Sequence, residues 1–179
     1  MQSRRKTFFL LIAAFCAGCS SPVFLTDDEH VRLTRVTLSS APAYEKTLQL
    51  FVIPDSAANG TSEFTDPRGT HFAVNLADWS EILAGRLSEE LEYRGALITE
   101  AAPNRVQFRI TGVKSVFSGL RVEVSAIASL SLAGKTWTRE YVGSDKVAYS
   151  AVLAFQGAVE NLLKKILKDR DFLRVIEKD

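Results

Sequence analysis

The sequence predicts an α+β fold in which a mostly antiparallel, twisted sheet carries two helices on one face. A long segment at 120–132 alternates apolar and polar residues, which is typical of a strand with one buried face. The segments 78–94 and 146–168 each place apolar residues at helical spacing along a single stripe. Because each element has one apolar side, the economical packing is two layers, with both helices on the same side of the sheet.

The composition is that of a globular protein. The chain has 179 residues, of which 46% are hydrophobic and 24% are charged, and its formal net charge is +1. These values exclude collagen-like, low-complexity and polyelectrolyte proteins. Sequence-independent binding to nucleic acid requires a surplus of Lys and Arg, so we expect no nucleic-acid partner.

Residues 1–18 have the layout of an export signal. Basic residues at 4–6 precede an apolar run at 8–15, which is too short to cross a bilayer as a permanent helix. Small residues then lead to Cys19, and this ending resembles a bacterial lipobox, although Cys16 stands where Leu is usual. The resemblance implies cleavage before Cys19 and attachment of lipid, including palmitate, to that residue. The alternative is an ordinary signal peptide that is cut nearby.

Cleavage would change the character of the chain. Loss of 1–18 removes three basic residues and Cys16, so the formal charge becomes −2 and Cys19 is the one remaining cysteine. Ser20 and Ser21 follow Cys19, and no Asp does. By resemblance to the enteric sorting rule, this favours the outer membrane over the inner membrane.

The predicted organisation therefore has three parts. Residues 1–18 form a lipoprotein signal peptide, and 19–45 form the lipidated N-terminus and a tether rich in loop formers. Residues 46–179 form a single α+β periplasmic domain. Attached lipid would hold the domain at the periplasmic face of the outer membrane.

Strands and a loop are predicted before the first helix. The segment 47–53 is a nearly continuous apolar strand that Pro54 ends, and 31–38 is a candidate for a short strand. The polar stretch 56–69 predicts a loop with room for a hairpin. A further short strand is expected at 71–76.

The first helix is expected to begin at Asp78. Asp78 with Glu81 three positions later matches a capping box, and Gly95 suits a left-handed C-cap. A short strand follows at 96–98. Three acidic residues are assigned to the solvent side of this helix: Glu89, Glu90 and Glu92.

A three-stranded meander is predicted next. Alternation over 106–117 changes phase at Gly112, which is typical of a β-bulge. A turn at 118–119 leads into the strand at 120–132. The third strand, 136–142, has a mixed pattern that indicates a sheet edge.

The last helix, over 146–168, is followed by a short tail. Its apolar stripe consists of Ala148, Val152, Phe155, Val159, Leu162 and Ile166. Phe172 and Ile176 in the tail are expected to pack against the domain.

The sequence offers little chemistry beyond Cys19. His30 and His71 are far apart, and no metal-binding, nucleophile-elbow or phosphate-loop motif is present. We therefore expect no catalytic residues, no metal and no cofactor, although a site centred on His71 stays open. Three arginines occupy polar positions of the predicted sheet: Arg109, Arg121 and Arg139. They either cluster around an anionic ligand or pair with acidic residues such as Glu123 and Glu140.

The predicted edge strand is the candidate binding surface. Trp137 and Tyr141 share one face of this strand, with Arg139 between them. These three residues either join a partner by strand addition or cover the core.

The order of these features resembles the YajG-type lipoproteins of Gram-negative bacteria. The features are the lipobox, the helix from Trp79 to Gly95, the strand at 106–112 with the alternating strand after it, and the final helix at 158–167. The resemblance covers about 47–176. It implies a two-layer domain similar to the N-terminal domain of TolB, with no enzyme activity and no assigned functional residues.

A second resemblance competes with the first. The PqiC-like auxiliary lipoproteins of ABC-type lipid transporters also combine a lipobox, a Trp-containing helix and a turn similar to Phe117-Ser118-Gly119. The closing segment 169–176 is more similar to the YajG-type family. The expected function is thus a non-enzymatic, lipid-anchored binding or assembly component of the cell envelope. The alternative is a transport accessory that contacts lipid or a transporter subunit.

Overall fold

The computed structural model describes residues 21–26, 30–34 and 48–177. The predicted signal at 1–18 and the predicted lipidation site Cys19 lie outside the described residues. The strands are β1 (Val23–Phe24), β2 (Gln49–Pro54), β3 (Thr61–Thr65), β4 (His71–Asn75), β5 (Leu97–Ile98), β6 (Asn104–Ser118), β7 (Arg121–Leu132) and β8 (Thr138–Ala148). The helices are α1 (Leu76–Tyr93), α2 (Ala151–Lys168) and α3 (Arg170–Glu177). The predicted α+β class is confirmed.

The strands form two sheets. The larger sheet has the order β5-β2-β6-β7-β8, and the smaller has the order β1-β4-β3. β6, β7 and β8 make the expected antiparallel meander, whereas β2 runs parallel to both of its neighbours. The larger sheet is therefore mixed, because β2 and β6 are joined by a long crossover that contains α1.

Both long helices cover the apolar face of the larger sheet. α1 packs against β2 and β6, and α2 packs against β7 and β8. The two helices meet where the rings of Trp79 and Phe155 contact edge to face, with centroids 4.8 Å apart. The alternating apolar residues of β7 are buried beneath them, as the strand pattern predicts.

The predicted bulge in β6 is present. Ile110 lies opposite Ala128 and Gly112 lies opposite Ile127, so Thr111 is the extra residue. On the edge of β6 that faces away from β7, pairing with β2 ends at Phe108. Beyond that residue, side-chain hydroxyls accept hydrogen bonds from the backbone of β6.

Two serines take the place of a neighbouring strand there. Ser80 Oγ accepts from Ile110 N (2.8 Å), and Ser62 Oγ accepts from Val113 N (3.0 Å). These bonds satisfy backbone donors that would otherwise be buried without a partner. They also attach α1 and β3 to the sheet.

Asn75, and not Asp78, caps α1. Asn75 has an extended backbone, and its side-chain oxygen accepts from the N–H groups of Ala77 and Asp78. Asp78 lies in the first turn instead. The expectation for Gly95 is confirmed, because it has a φ of 95° and donates to Glu92 O.

β8 extends further than the sequence pattern predicts. It pairs with β7 as far as Ala148, which was assigned to the last helix, and α2 begins only after its N-cap Ser150. Tyr149, with a φ of 63°, turns the chain between the two elements. The β6–β7 turn is shifted by one residue, to Gly119 and Leu120, and the polar stretch at 56–69 contains β3.

The fold begins well before residue 46. β1 pairs in parallel with β4, and Leu25 and Val31 are buried. The indole nitrogen of Trp79 donates to Leu25 O (2.8 Å). The described part of the predicted tether at 19–45 is therefore built into the domain, because its apolar residues complete the core beside Trp79.

Candidate functional site

The predicted edge residues surround the junction between α2 and α3. β8 is the last strand of the larger sheet, as expected. Tyr141 is buried, and its hydroxyl donates to Asp169 Oδ2 at 2.6 Å. Arg139 lies 2.8 Å from the same oxygen of Asp169 and 3.3 Å from Asp171. The structure thus brings these residues together around one carboxylate.

Asp169 also caps α3. Its other oxygen, Oδ1, accepts from Asp171 N (2.9 Å) and Phe172 N (3.4 Å). The ring of Trp137 packs against the ring of Phe172, with centroids 5.7 Å apart. The side chains of Trp137, Arg139 and Tyr141 therefore hold α3 against the sheet.

The surroundings of Tyr141 favour its neutral form. Burial raises the pKa of the Tyr141 hydroxyl, and the hydrogen bond to the Asp169 carboxylate raises it further. Arg139 acts in the opposite direction but does not cancel these effects. Tyr141 is consequently a hydrogen-bond donor to Asp169 at neutral pH.

α2 covers part of the backbone edge of β8. Leu132 N donates to Trp137 O, so the odd-numbered residues on this side of the pair form the hydrogen bonds with β7. Because such residues alternate along an antiparallel strand, the even-numbered residues of β8 direct their backbone groups away from β7. Two of these carbonyls accept from α2 side chains, Val142 O from Lys165 Nζ (2.6 Å) and Ser144 O from Asn161 Nδ2 (2.9 Å). Such contacts oppose strand addition at this stretch.

The other candidate residues are dispersed. Arg109 lies 3.6 Å from Asp55, whereas Arg139 faces α3 and Arg121 begins β7, so the three sheet arginines form no cluster. His71 is exposed at the start of β4, and His30 lies near Thr26. Within the described ranges, no group of three or more His, Cys, Asp or Glu residues could hold a metal ion.

The acidic residues of α1 differ in their surroundings. Glu89 pairs with Arg86 at 3.0 Å on the surface, and Glu92 is also exposed. Glu90 is buried, so its assignment to the solvent side is wrong. Glu90 lies beside a small cleft of about 100 Å³, which is also lined by Leu33, Thr34, Arg86, Glu89, Glu160 and Leu163. This volume is below the several hundred Å³ of a typical small-molecule pocket.

One buried acid stabilises the loop between β3 and β4. Burial alone would raise the pKa of Asp66, but backbone N–H groups of Thr70 and Arg68, together with the Arg68 side chain, hold it below its usual value. Both N–H groups lie 2.9 Å from Asp66 Oδ1. The role of Asp66 is to fix the hairpin.

A cluster of exposed apolar residues, which we call the apolar tip, was not predicted from the sequence. It lies at the end of the β6–β7 hairpin and at the β8–α2 junction, and its side chains are between 44% and 66% exposed. Its members are Val116, Phe117, Leu120, Tyr149 and Leu153. Tyr149 N donates to Leu120 O (3.0 Å), which joins the two parts. The strand pattern could not reveal the tip, because alternation continues past the point where the helices stop covering the sheet.

Comparison with known proteins assigns no family to the chain. No family model matches it, and no curated protein matches it. One solved structure, described as "Crystal structure of uncharacterized protein", is 12% identical, with 76% of this chain and 95% of that chain covered and a TM-score of 0.31. A similarity at this level carries no argument about function. In the described part of the chain, no helix has the length and apolar character to cross a membrane.

Proposed function

We propose that this chain is a lipid-anchored lipoprotein on the periplasmic face of the Gram-negative outer membrane. It is attached through Cys19 and acts without catalysis, as a binding or assembly component of the cell envelope. The proposal depends on one observation, the basic segment and short apolar run that end in small residues before Cys19. A Cys in this position is the acceptor of lipid in bacterial lipoproteins.

The start of the fold supports an anchor at this position. β1 begins at Val23, only four residues after Cys19. A Cys that is lipidated there would join the membrane to a folded strand through a very short link. Acyl chains contribute about 0.8 kcal/mol for each buried methylene, so two or three chains make stable attachment.

Radiolabelled palmitate tests the anchor directly. The full chain is expressed in a Gram-negative host, and the label in the protein is compared between the native chain and Cys19→Ala. We expect the substitution to abolish labelling. Cys16→Ala is the matched control, because Cys16 is removed with the signal and its loss leaves the label in place. Unchanged labelling of Cys19→Ala would overturn the proposal.

Membrane fractionation of the labelled cells tests the location. The native chain is expected with outer-membrane markers, because Ser20 and Ser21 follow the anchor. Recovery with inner-membrane markers would contradict this part of the proposal. Crosslinking in intact cells then identifies the envelope protein that the domain contacts.

A transport accessory is the second candidate. The observation in its favour is the exposure of Phe117 beside the turn at Gly119, since exposed aromatic side chains suit contact with lipid or with a transporter subunit. Crosslinks to subunits of an ABC-type transporter would select this candidate over the first.

A further inference from the structure

We infer that the apolar tip is a second membrane-contact site, which rests on the lipid surface that holds the anchor. The inference depends on the proposed function, because it takes Cys19 as the point of attachment. It adds a defined orientation, in which the β6–β7 hairpin and the start of α2 face the bilayer.

The side chains of the tip suit the boundary between water and hydrocarbon. Phe117 and Leu120 are large and apolar, and Tyr149 combines an apolar ring with a polar hydroxyl. Aromatic rings with a polar end favour the headgroup level of a membrane. Tyr149 is held at a positive φ, a backbone conformation that costs free energy for a residue other than glycine.

Three exposed cationic residues lie on the strands that lead to and from the tip. Lys114, Arg121 and Lys146 are exposed near the ends of β6, β7 and β8, and none of the three forms an ion pair among the described residues. Two acidic residues accompany them, Glu123 opposite Lys146 on the neighbouring strand and Asp145 directly before Lys146 in β8. The excess of positive charge beside apolar side chains complements anionic phospholipid headgroups.

The start of β1, which follows the proposed anchor in sequence, lies at the same end of the domain as the tip. Val23 of β1 is paired with Phe72, whose ring stacks on Phe64, with centroids 5.8 Å apart. The ring of Phe64 lies 5.9 Å from that of Phe155, only two residues after Leu153. The smaller sheet therefore packs against the N-terminal part of α2, beside the tip.

A second contact also places the smaller sheet beside the tip. Ser62 of β3 is hydrogen-bonded to Val113 of β6, three residues before Val116. The four residues from Cys19 to Val23 span at most about 14 Å when fully extended. An anchor on so short a link keeps this end of the domain close to the bilayer surface.

A fluorescent probe in the tip tests the orientation. The full-length lipidated chain with Leu120→Cys is labelled with a polarity-sensitive fluorophore and reconstituted into vesicles of phosphatidylethanolamine and phosphatidylglycerol. We expect the emission to shift to the blue and to be quenched by acyl chains that carry a quencher. Thr136→Cys is the matched control, because this exposed residue follows β7 at the opposite end of the sheet. Its probe should keep the emission seen in water.

Three results would overturn the inference. One is a Leu120→Cys probe that stays in a water-like environment in the vesicles, which would leave a protein partner as the occupant of the tip. Another is an equal shift at Thr136→Cys. The third is a shift that grows with the protein-to-lipid ratio, which would indicate contact between copies of the chain.

The mass of the N-terminal peptide separates this inference from the proposed function. A peptide without lipid would overturn the anchor at Cys19. A Leu120→Cys chain in which Cys16 and Cys19 are replaced by Ser, labelled in the same way and added to vesicles, then decides the tip by itself, because its introduced Cys is the one thiol that takes the probe. A blue shift that depends on phosphatidylglycerol would support contact, and no shift would reject it.

Discussion

The hydroxyl of Tyr141 donates a 2.6 Å hydrogen bond to Asp169, which links the edge strand β8 to the junction between α2 and α3. Asp169 uses its second oxygen to cap α3. One carboxylate therefore connects the sheet edge, the end of α2 and the start of α3. This relationship gives the hydroxyl of the buried Tyr141 a hydrogen-bond partner, so its burial leaves no polar group unsatisfied.

Replacement of Tyr141 by Phe should weaken this connection. Tyr141→Phe removes a hydrogen bond to a charged group, which is worth about 1.5–3 kcal/mol, while the ring continues to pack. We expect the free energy of unfolding, measured by urea denaturation, to fall by about this amount. Glu140→Gln, on the exposed side of the same strand, is the control and should be nearly neutral. Equal stability of native chain and Tyr141→Phe would contradict the assigned role.

The raised pKa of Tyr141 predicts an alkaline loss of stability. The folded state holds the hydroxyl protonated, whereas Tyr in the unfolded chain ionises at about pH 10. The stabilisation is therefore fully present below about pH 10 and decreases as the pH rises above it. Urea denaturation across this range should show a steeper decline for the native chain than for Tyr141→Phe. Parallel curves would show that Tyr141 does not cause the decline.

Gly143 should tolerate no side chain. A Cβ at this position would collide with the backbone of α2 at Ala158 O and Leu162 N. Gly143→Ala must push the helix from the sheet, and we expect a loss of about 1–3 kcal/mol in the free energy of unfolding. Gly112→Ala is the matched control, since nothing lies within 4 Å of its added Cβ. Similar stabilities of the two variants would show that α2 does not approach β8 as described.

The cap of α1 can be tested by comparison of two neighbours. Asn75→Ala removes the side-chain oxygen that accepts from two backbone donors, and we expect a loss of about 1 kcal/mol. Asp78→Ala keeps that cap and removes only a first-turn charge, which is worth about 0.3–1 kcal/mol. In thermal unfolding, the Tm should therefore fall further for Asn75→Ala than for Asp78→Ala. A larger effect of Asp78→Ala would favour the cap expected from the sequence pattern.

Local patterns predicted the elements best where burial alternates along a single strand. The bulge at Gly112 and the buried face of β7 follow from the alternation of side chains, which depends on backbone geometry alone. The start of α2 was placed too early because Ala148 fits both a strand and a helical stripe. Pairing with β7 resolves this ambiguity through contacts distant in sequence.

Some residues of the candidate site were predicted from the sequence, and others were found only in the structure. The sequence indicated Trp137, Arg139 and Tyr141 as a group, and the structure places all three around α3. Asp169, the residue that connects them, was not singled out, because an acid after a run of lysines gives no signal of its own. The apolar tip was missed because its exposure depends on where the helices end above the sheet.

By itself, the sequence determined the α+β class, the meander and the bulge, and it predicts a lipid anchor at Cys19, since each depends on residues that are neighbours along the chain. Only the tertiary structure decided that the N-terminal strand belongs to the fold, that Asp169 connects β8 to α3, and that apolar side chains stay exposed at one end. These features depend on which distant segments meet, and burial and hydrogen bonding between such segments have no local pattern in the sequence.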